Sequence, residues 1–336
     1  TSSYIPLSDR GQWAGITPIP QNDGPNPLVA IMYSPEYRDA MDFFRAVSAS
    51  GEKSERALEL TETIIRMNPA HYTVWQYRMA ILLELGKDLE VELELMNEFA
   101  RENLKSYQVW HHRLLLMTHI SPASPQAEID YIHTSLLPDP KNYHTWAYLH
   151  WLFSHFHTLG RITPKMWQEE QRWCDEMLRV DGRNNSAWGW RWFLTIARPE
   201  AGGLADQGRG EIIYTLKQIH TIPHNVSAWN YLRGLLKHFS HPFSPILPAL
   251  HPYLAHPDLK SLIPSPPSSS LSNLPAARDP LPGDTPLPIS HAVEFLADTL
   301  VEMGRLGDAG LIFAKLGELD RMRAGYWEYR RRACAD

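Results

Sequence analysis

Three cations and a histidine recur at one position of a repeated sequence, five residues before a tryptophan: Lys105, Lys141, Arg183 and His224. A cation at the N-terminus of a helix makes a good anion site, because its charge adds to the free N–H groups and the positive end of the helix dipole. We place these cations in the first helical turn, where they indicate a basic edge facing an anionic ligand or an acidic partner. Pairing with nearby surface acids is the alternative, and the spacing leaves both open.

Tyrosines occupy the position three residues before the same tryptophans, at Tyr72, Tyr107 and Tyr143, with Asn185 in the fourth copy. A phenol near the basic column can donate a hydrogen bond to the same oxyanion. Half-buried packing is the other interpretation. The next column is polar throughout, which is compatible with a groove lining or with solvent: Thr73, Gln108, His144 and Ser186.

The sequence shows no self-contained catalytic set. It lacks GxSxG, Walker, GxGxxG and HExxH patterns. The two cysteines, Cys174 and Cys334, stand far apart, which argues against a thiolate zinc site in this chain and is typical of a reducing compartment. His111 and His112 are adjacent, so they point to different faces of a helix and make a poor metal pair.

The tryptophans belong to an internal repeat at Trp75, Trp110, Trp146, Trp188, Trp229 and, more weakly, Trp327. The first four intervals are 35, 36, 42 and 41 residues, a period that fits two helices and two turns. Asn or Asp seven residues before five of these tryptophans predicts a helix N-cap, at Asn68, Asn103, Asp139, Asp181 and Asp320. Pro69 and Pro140 then fall at the first helical position, and the tryptophan falls two turns into the helix.

One such hairpin cannot bury its apolar face alone, so neighbouring hairpins must stack. The sequence therefore predicts an all-α fold, an α-α superhelix (solenoid) of helical hairpin repeats forming a crescent, with the tryptophans in the seams. We divide the chain into an irregular Pro-rich segment (1–32), helical repeats (33–240), a Pro/Ser-rich insertion (241–290) and C-terminal helical repeats (291–336). The insertion holds 13 of the 27 prolines and is predicted to be a partly mobile surface excursion.

Composition excludes several classes of protein. With 336 residues, 43% of them hydrophobic, the chain is expected to be globular. A net charge of −6 gives no basic field for nucleic acid. No apolar run approaches the roughly 18–20 residues that span a bilayer, and the polar N-terminus lacks a signal-like core. We therefore expect a soluble cytoplasmic protein with no membrane insertion and no nucleic-acid partner.

The Tyr-x-x-Trp-x-x-Arg core of the repeat resembles that of the protein prenyltransferase α subunits. The opening stretch WAGITPIPQNDGPNPLVAIMYSPEYRDAMDFFRAV (13–47) and the repeats KSYQVWHHR, KNYHTW, RNNSAW and SAWNYL resemble the CaaX type, over about residues 10 to 238. The resemblance implies a crescent-shaped α subunit that forms an obligate heterodimer with an α/α-barrel β subunit. The enzyme would move a farnesyl or geranylgeranyl group from its diphosphate to the cysteine thiolate of a C-terminal CaaX motif.

The same resemblance implies a zinc ion held by the β subunit, not by this chain, and Mg²⁺ with the diphosphate in the farnesyltransferase form. It does not say which β subunit is bound or which peptides are preferred. A Rab-type geranylgeranyltransferase α subunit and a non-catalytic helical scaffold that binds acidic peptides remain alternatives.

Residue roles follow from the resemblance position by position. Lys105 matches the catalytic lysine of the family motif Lys-Asn-Tyr-Gln-Val-Trp and would touch the diphosphate, with Tyr107 beside it. Gln108 would bind the carboxylate at the C-terminus of the peptide. The other residues expected to bind substrate are Tyr72, Asn142, Tyr143 and His144. Ser106 replaces the motif asparagine, and Leu149 replaces the repeat arginine.

Overall fold

The computed structural model describes residues 4–198, 204–265, 274, 281 and 285–335. These residues form helices and the turns between them, with no β-strand in the described ranges. The predicted all-α fold of repeated helical hairpins is therefore confirmed. The chain divides into two compact units, Thr1–Thr163 and Pro164–Asp336.

The first unit begins with two short 3₁₀ turns, Leu7–Asp9 and Gly11–Trp13, and an irregular stretch that bends at residues 25–26 and 28–29. One helix and three hairpins follow: α1 (Pro35–Ser50), then α2 (Glu55–Met67) with α3 (Tyr72–Glu84), α4 (Leu89–Glu102) with α5 (Tyr107–Ile120), and α6 (Gln126–Ser135) with α7 (Tyr143–Thr158). Each first helix turns an apolar face inward, as Leu60 and Ile64 of α2 and Met96 and Phe99 of α4 show.

The second unit repeats the same pattern: α8 (Pro164–Val180) with α9 (Asn185–Ala197), and α10 (Leu204–Thr221) with α11 (Val226–His238). It continues with α12 (Leu247–Leu250), α13 (Ser290–Glu302), α14 (Leu306–Leu319) and α15 (Ala324–Arg332), and with short 3₁₀ turns at Ser244–Ile246, His251–Leu254, Pro257–Leu262 and Arg321–Arg323.

The predicted surface excursion is wrong for its first half. Between residues 243 and 262 the chain winds through short helical turns, and Ile246, Leu250, Tyr253 and Leu259 are buried. Proline is compatible with this packing because it stands at the first positions of each short turn. Residues 266–273, 275–280 and 282–284 of the predicted insertion lie outside the described residues.

The predicted helix starts are also wrong, by three residues. Each second helix of the five hairpins begins three residues before its tryptophan, so the N-caps are His71, Ser106, Asn142, Asn184 and Asn225. Asn68 and Asn103 instead end the preceding helices, and Pro69 and Pro140 lie in the turns. The cation column therefore comes immediately before each cap, outside the helix, and the tryptophan lies in the first turn.

The repeat tryptophans explain this placement. All six are at most 5% exposed. In the five hairpins the indole Nε1 donates to the backbone carbonyl six residues earlier, at 2.8–2.9 Å: Trp75 to Pro69, Trp110 to Leu104, Trp146 to Pro140, Trp188 to Gly182 and Trp229 to Pro223. That carbonyl must belong to a turn, because a carbonyl inside a helix is already occupied. The tryptophan therefore fixes where its own helix starts.

Contacts between neighbouring hairpins confirm the predicted seams within each unit. The ring of Trp75 lies 5.0 Å from that of His112, and the ring of Trp110 lies 5.4 Å from that of Tyr148. In the second unit the ring of Trp188 lies 5.0 Å from that of Tyr231. Each of these three tryptophans thus packs on the aromatic residue that lies two positions after the next repeat tryptophan.

A buried glutamate joins successive hairpins. Glu128 on α6 accepts two hydrogen bonds from the guanidinium of Arg113 on α5, at 2.5 and 2.7 Å, and one from the hydroxyl of Tyr148 on α7, at 2.7 Å. Glu92 is held in the same way by Arg78 and His112, and Glu211 by Arg191 and Tyr231. These paired charges are almost fully buried, and their bidentate geometry fixes the register of the stack.

Candidate functional site

Lys105 lies in the turn between α4 and α5, one residue before the cap Ser106. Its side chain is 82% exposed, and its Nζ lies 4.0 Å from Oδ2 of Asp139 in the next hairpin. A surface pair at that separation contributes little to stability. The ammonium group is therefore available to a ligand at the start of α5, where the free N–H groups and the helix dipole also favour an anion.

Hydrogen bonds fix the backbone next to Lys105, although its side chain is exposed. The carbonyl of Leu104, in the peptide bond that precedes Lys105, accepts from Nε1 of Trp110 at 2.8 Å and from Nδ2 of Asn142 at 3.2 Å. The side-chain oxygen of Asn142 accepts from the first amides of α7. Asn142 is 3% exposed and its amide is fully engaged. The geometry therefore favours a positioning role for Asn142 over the predicted contact with substrate.

An aromatic cluster follows at the starts of α5 and α7. Tyr107 and Tyr143 are the first residues of these helices and are 67% and 68% exposed. The ring of His144 packs edge to face on Tyr107 at 4.3 Å and contacts Tyr143 at 5.6 Å. Partial burial lowers the pKa of His144 below its ordinary value, so the imidazole is neutral at pH 7. The cluster presents hydroxyl and imidazole groups beside the turn that bears Lys105.

An apolar groove of about 720 Å³ runs between α3 and α5. Tyr72, 72% exposed, stands at its end on α3, and Tyr107 and Gln108 stand at its end on α5. Met79, Leu83 and Leu115 supply much of the apolar lining. The polar side chains of His111 and Gln76 also line the groove. The groove unites three predicted site residues and adds apolar residues that the repeat columns did not single out.

The two other cations of the column occupy the equivalent turns of later hairpins. Lys141 comes directly before the cap Asn142, and Arg183, in the second unit, comes directly before Asn184. The backbone amide of Arg183 donates to the carboxylate of Asp181 at 2.9 Å. A continuous basic edge across the repeats therefore stays a prediction, whereas Lys105 has a defined surrounding.

The described residues contain no group of three or more His, Cys, Asp or Glu side chains arranged to hold a metal ion. Cys174 is buried, its thiol donates to the carbonyl of Ala187 at 3.4 Å, and burial raises its pKa to about 12. His111 is exposed and His112 is buried, so these neighbours do face different sides of α5. No helix in the described part of the chain is long and apolar enough to cross a bilayer.

Comparisons with known proteins agree with this geometry. The model of the protein prenyltransferase alpha subunit repeat matches residues 54–85, 89–120, 125–156, 167–195 and 209–239, which correspond to the five hairpins. The protein farnesyltransferase/geranylgeranyltransferase type-1 subunit alpha of Pisum sativum is 41% identical over 69% of this chain and 68% of its own length. The subunit of the same name from Arabidopsis thaliana is 34% identical over 97% of this chain and 96% of its own length.

A solved structure titled "Candida albicans protein geranylgeranyltransferase-I complexed with GGPP" matches with a TM-score of 0.79 and 27% identity, over 99% of this chain and 100% of that one. The Rab-type alternative is weaker, since the human geranylgeranyl transferase type-2 subunit alpha is 29% identical over 60% of this chain and 27% of its own length. The chain therefore belongs to the protein prenyltransferase alpha subunits, in the group shared by farnesyltransferase and geranylgeranyltransferase type-1.

Proposed function

We propose that this chain acts as the α subunit of a CaaX protein prenyltransferase and supplies Lys105 to the prenyl diphosphate in a site completed by a β subunit. The observation that carries the proposal is the exposed Lys105 ammonium at the start of α5, on a turn whose backbone is fixed by hydrogen bonds. Tyr107, Tyr143 and His144 lie beside it. The described residues of this chain offer an anion site but no cluster of metal ligands that could activate a cysteine thiolate, so the proposal requires a partner.

In the proposed reaction the cysteine sulfur of the CaaX peptide forms a bond to C1 of the prenyl group. The bond between C1 and the diphosphate oxygen breaks, and its electron pair leaves with the diphosphate. Negative charge therefore grows on that oxygen as the bond lengthens. The Lys105 ammonium and the hydroxyls of Tyr107 and Tyr143 would stabilise this charge, and they would stabilise the transition state more than the ground state.

We further propose that the groove between α3 and α5 borders the peptide. The amide of Gln108 would donate to the carboxylate at the peptide's C-terminus, with Tyr72 at the opposite side of the groove. His144, neutral at pH 7, would offer one hydrogen bond near the diphosphate without adding charge. Asn142 would act indirectly, through the carbonyl that precedes Lys105.

The metal ions of the proposal do not belong to this chain. The described residues do not fit a zinc site, because they offer no clustered ligands and the Cys174 thiol is buried and protonated. We assign the Zn²⁺ to the β subunit and Mg²⁺ to the diphosphate in the farnesyltransferase form. The two free cysteines support a cytoplasmic location for the heterodimer.

Co-expression with an α/α-barrel β subunit tests the proposal. We expect a 1:1 complex with about one zinc ion per heterodimer and transfer of a farnesyl or geranylgeranyl group to a CaaX peptide. Transfer only to a Rab protein would favour the Rab-type enzyme. A monomeric chain that binds acidic peptides and forms no complex with any β subunit would favour the scaffold.

A further inference from the structure

We infer that the irregular segment Leu28–Met32, which bends at Leu28 and Val29, is a docking strip for the second subunit of the enzyme. This inference rests on the proposed function, because it takes its partner from it. Four of the five side chains are large and apolar, and they are mostly exposed to solvent: Leu28 is 100% exposed, Val29 82%, Ile31 64% and Met32 95%. Single exposed apolar residues are ordinary in proteins, but an unbroken run of them marks an interaction surface.

The backbone of the strip is equally unpaired. Pro25 and Pro27 come just before the strip, where the chain bends, and they have no backbone N–H to donate. The carbonyl of Ile31 accepts from the amide of Tyr33 at 3.1 Å, and no other backbone hydrogen bond joins residues 25–32 to the part of the chain that the structure describes. The exposed apolar side chains therefore stand on a backbone that is not tied into the fold of the first unit, which suits a segment that packs against another chain.

The strip lies next to the edge of the first unit that bears the candidate site. Ile31 lines a cavity of about 410 Å³ with Tyr33, Tyr37 and His71. His71 caps α3, and its ring lies 6.5 Å from that of Tyr72, which stands at the end of the groove. A second subunit that completes a site at Tyr72, Tyr107 and Lys105 must therefore come close to the strip.

The sequence of the strip favours a protein partner over a membrane surface. Residues 24–33 carry no charge, and the nearest flanking charges, Asp23 and Glu36, are acidic. An anionic membrane surface prefers basic flanks, so the composition disfavours it. An uncharged apolar surface on the second subunit would cover the strip without leaving a buried charge unpaired.

The experiment compares a double variant, Leu28→Ser with Met32→Ser, with the control Val91→Ser. Val91 is 63% exposed on α4 and lines a separate cavity with Leu95. Each variant chain is titrated against purified β subunit by calorimetry, and each isolated chain is melted. We expect the double variant to bind at least about tenfold more weakly, with an unchanged melting temperature and with prenyl transfer restored at saturating β subunit. The control should match wild type in all three measurements.

Several results would overturn the inference. Equal affinity of the double variant and wild type means that the strip does not dock. A lower melting temperature of the isolated variant means that the strip packs on its own chain. Self-association of wild-type chain that the variant abolishes assigns the strip to a second copy instead. Failure of the proposed function is seen separately, because wild-type chain would then form no active complex with any β subunit.

Discussion

The buried carboxylate of Glu128 forms a clamp with Arg113 and Tyr148 between the second and third hairpins. Removing one of its two oxygens should strongly destabilise the first unit. In Glu128→Gln an amide NH₂ replaces one of two oxygens that both accept from Arg113, so two donors face each other. The guanidinium of Arg113 is 1% exposed and loses its counter-ion. It keeps the one remaining side-chain oxygen at position 128, the amide oxygen of Asn97, at 2.7 Å, and the ring face of Tyr131, at 3.7 Å. A charge buried without its counter-ion costs about 3–5 kcal/mol.

Urea unfolding followed by circular dichroism measures this loss in the free energy of unfolding. The control is Glu176→Gln, in which the same change breaks an ion pair to Arg179 on the exposed surface of α8 and should leave the urea midpoint unchanged. Adding Arg113→Leu to Glu128→Gln should cost less than the two single changes together, because no unpaired charge remains. A loss below about 1 kcal/mol for Glu128→Gln, or a loss equal to the control, would refute the role of the clamp.

Three further predictions concern pH and substrate. Burial lowers the pKa of His112 below its ordinary value of 6.5, so as the pH falls below that value the unfolded chain takes up a proton before the folded chain does. Stability should then decline by up to about 1.4 kcal/mol per pH unit. His112→Gln should flatten this decline in urea titrations at pH 7.5 and 5.5; parallel curves would contradict it. Tyr107→Phe keeps the ring contact with His144 and loses the hydroxyl, so kcat should fall about tenfold with an unchanged peptide KM, and an unchanged kcat would remove the hydroxyl from the mechanism. Gln108→Ala should raise KM at least about tenfold for a CaaX peptide with a free carboxylate and leave KM for the C-terminally amidated peptide unaltered; equal effects on both peptides would exclude the proposed contact.

The repeat could be predicted because one tryptophan per unit recurs at a spacing that fits a helical hairpin with its turns. The helix starts could not, because each turn offers two candidate caps, such as Asp139 and Asn142, and both residue types cap helices well. What decides between them is the indole of Trp146, which needs the carbonyl of Pro140 in a turn. That requirement comes from the packed tertiary structure and leaves no local signal.

The sequence also carries a spacing that marks the buried glutamates. Glu92, Glu128, Glu170 and Glu211 each stand 18 residues before a repeat tryptophan, within a predicted amphipathic helix. Their burial became apparent only in the structure, since the arginine partner comes from the preceding hairpin. Leu149 and Leu232 replace that arginine in two of the repeats. The glutamate that follows Leu149 is Glu170, which accepts from the indole of Trp190 at 3.1 Å.

The candidate site was predictable in its residues but not in its geometry. The column of cations alone did not separate Lys105 from Lys141, and the resemblance to a family did. The structure adds that Asn142 is buried, that His144 packs on Tyr107, and that an apolar groove adjoins both Tyr72 and Gln108. These relations join successive hairpins, so no single repeat encodes them.

The most direct test is single-turnover prenyl transfer by the heterodimer with Lys105→Ala, beside Lys141→Ala, which removes the same charge from the equivalent position of the next hairpin. We expect Lys105→Ala to slow the chemical step by about 10²–10³-fold with a normal melting temperature, and Lys141→Ala to change it little. Equal rates for Lys105→Ala and wild type would show that the exposed ammonium at the start of α5 does not meet the leaving diphosphate.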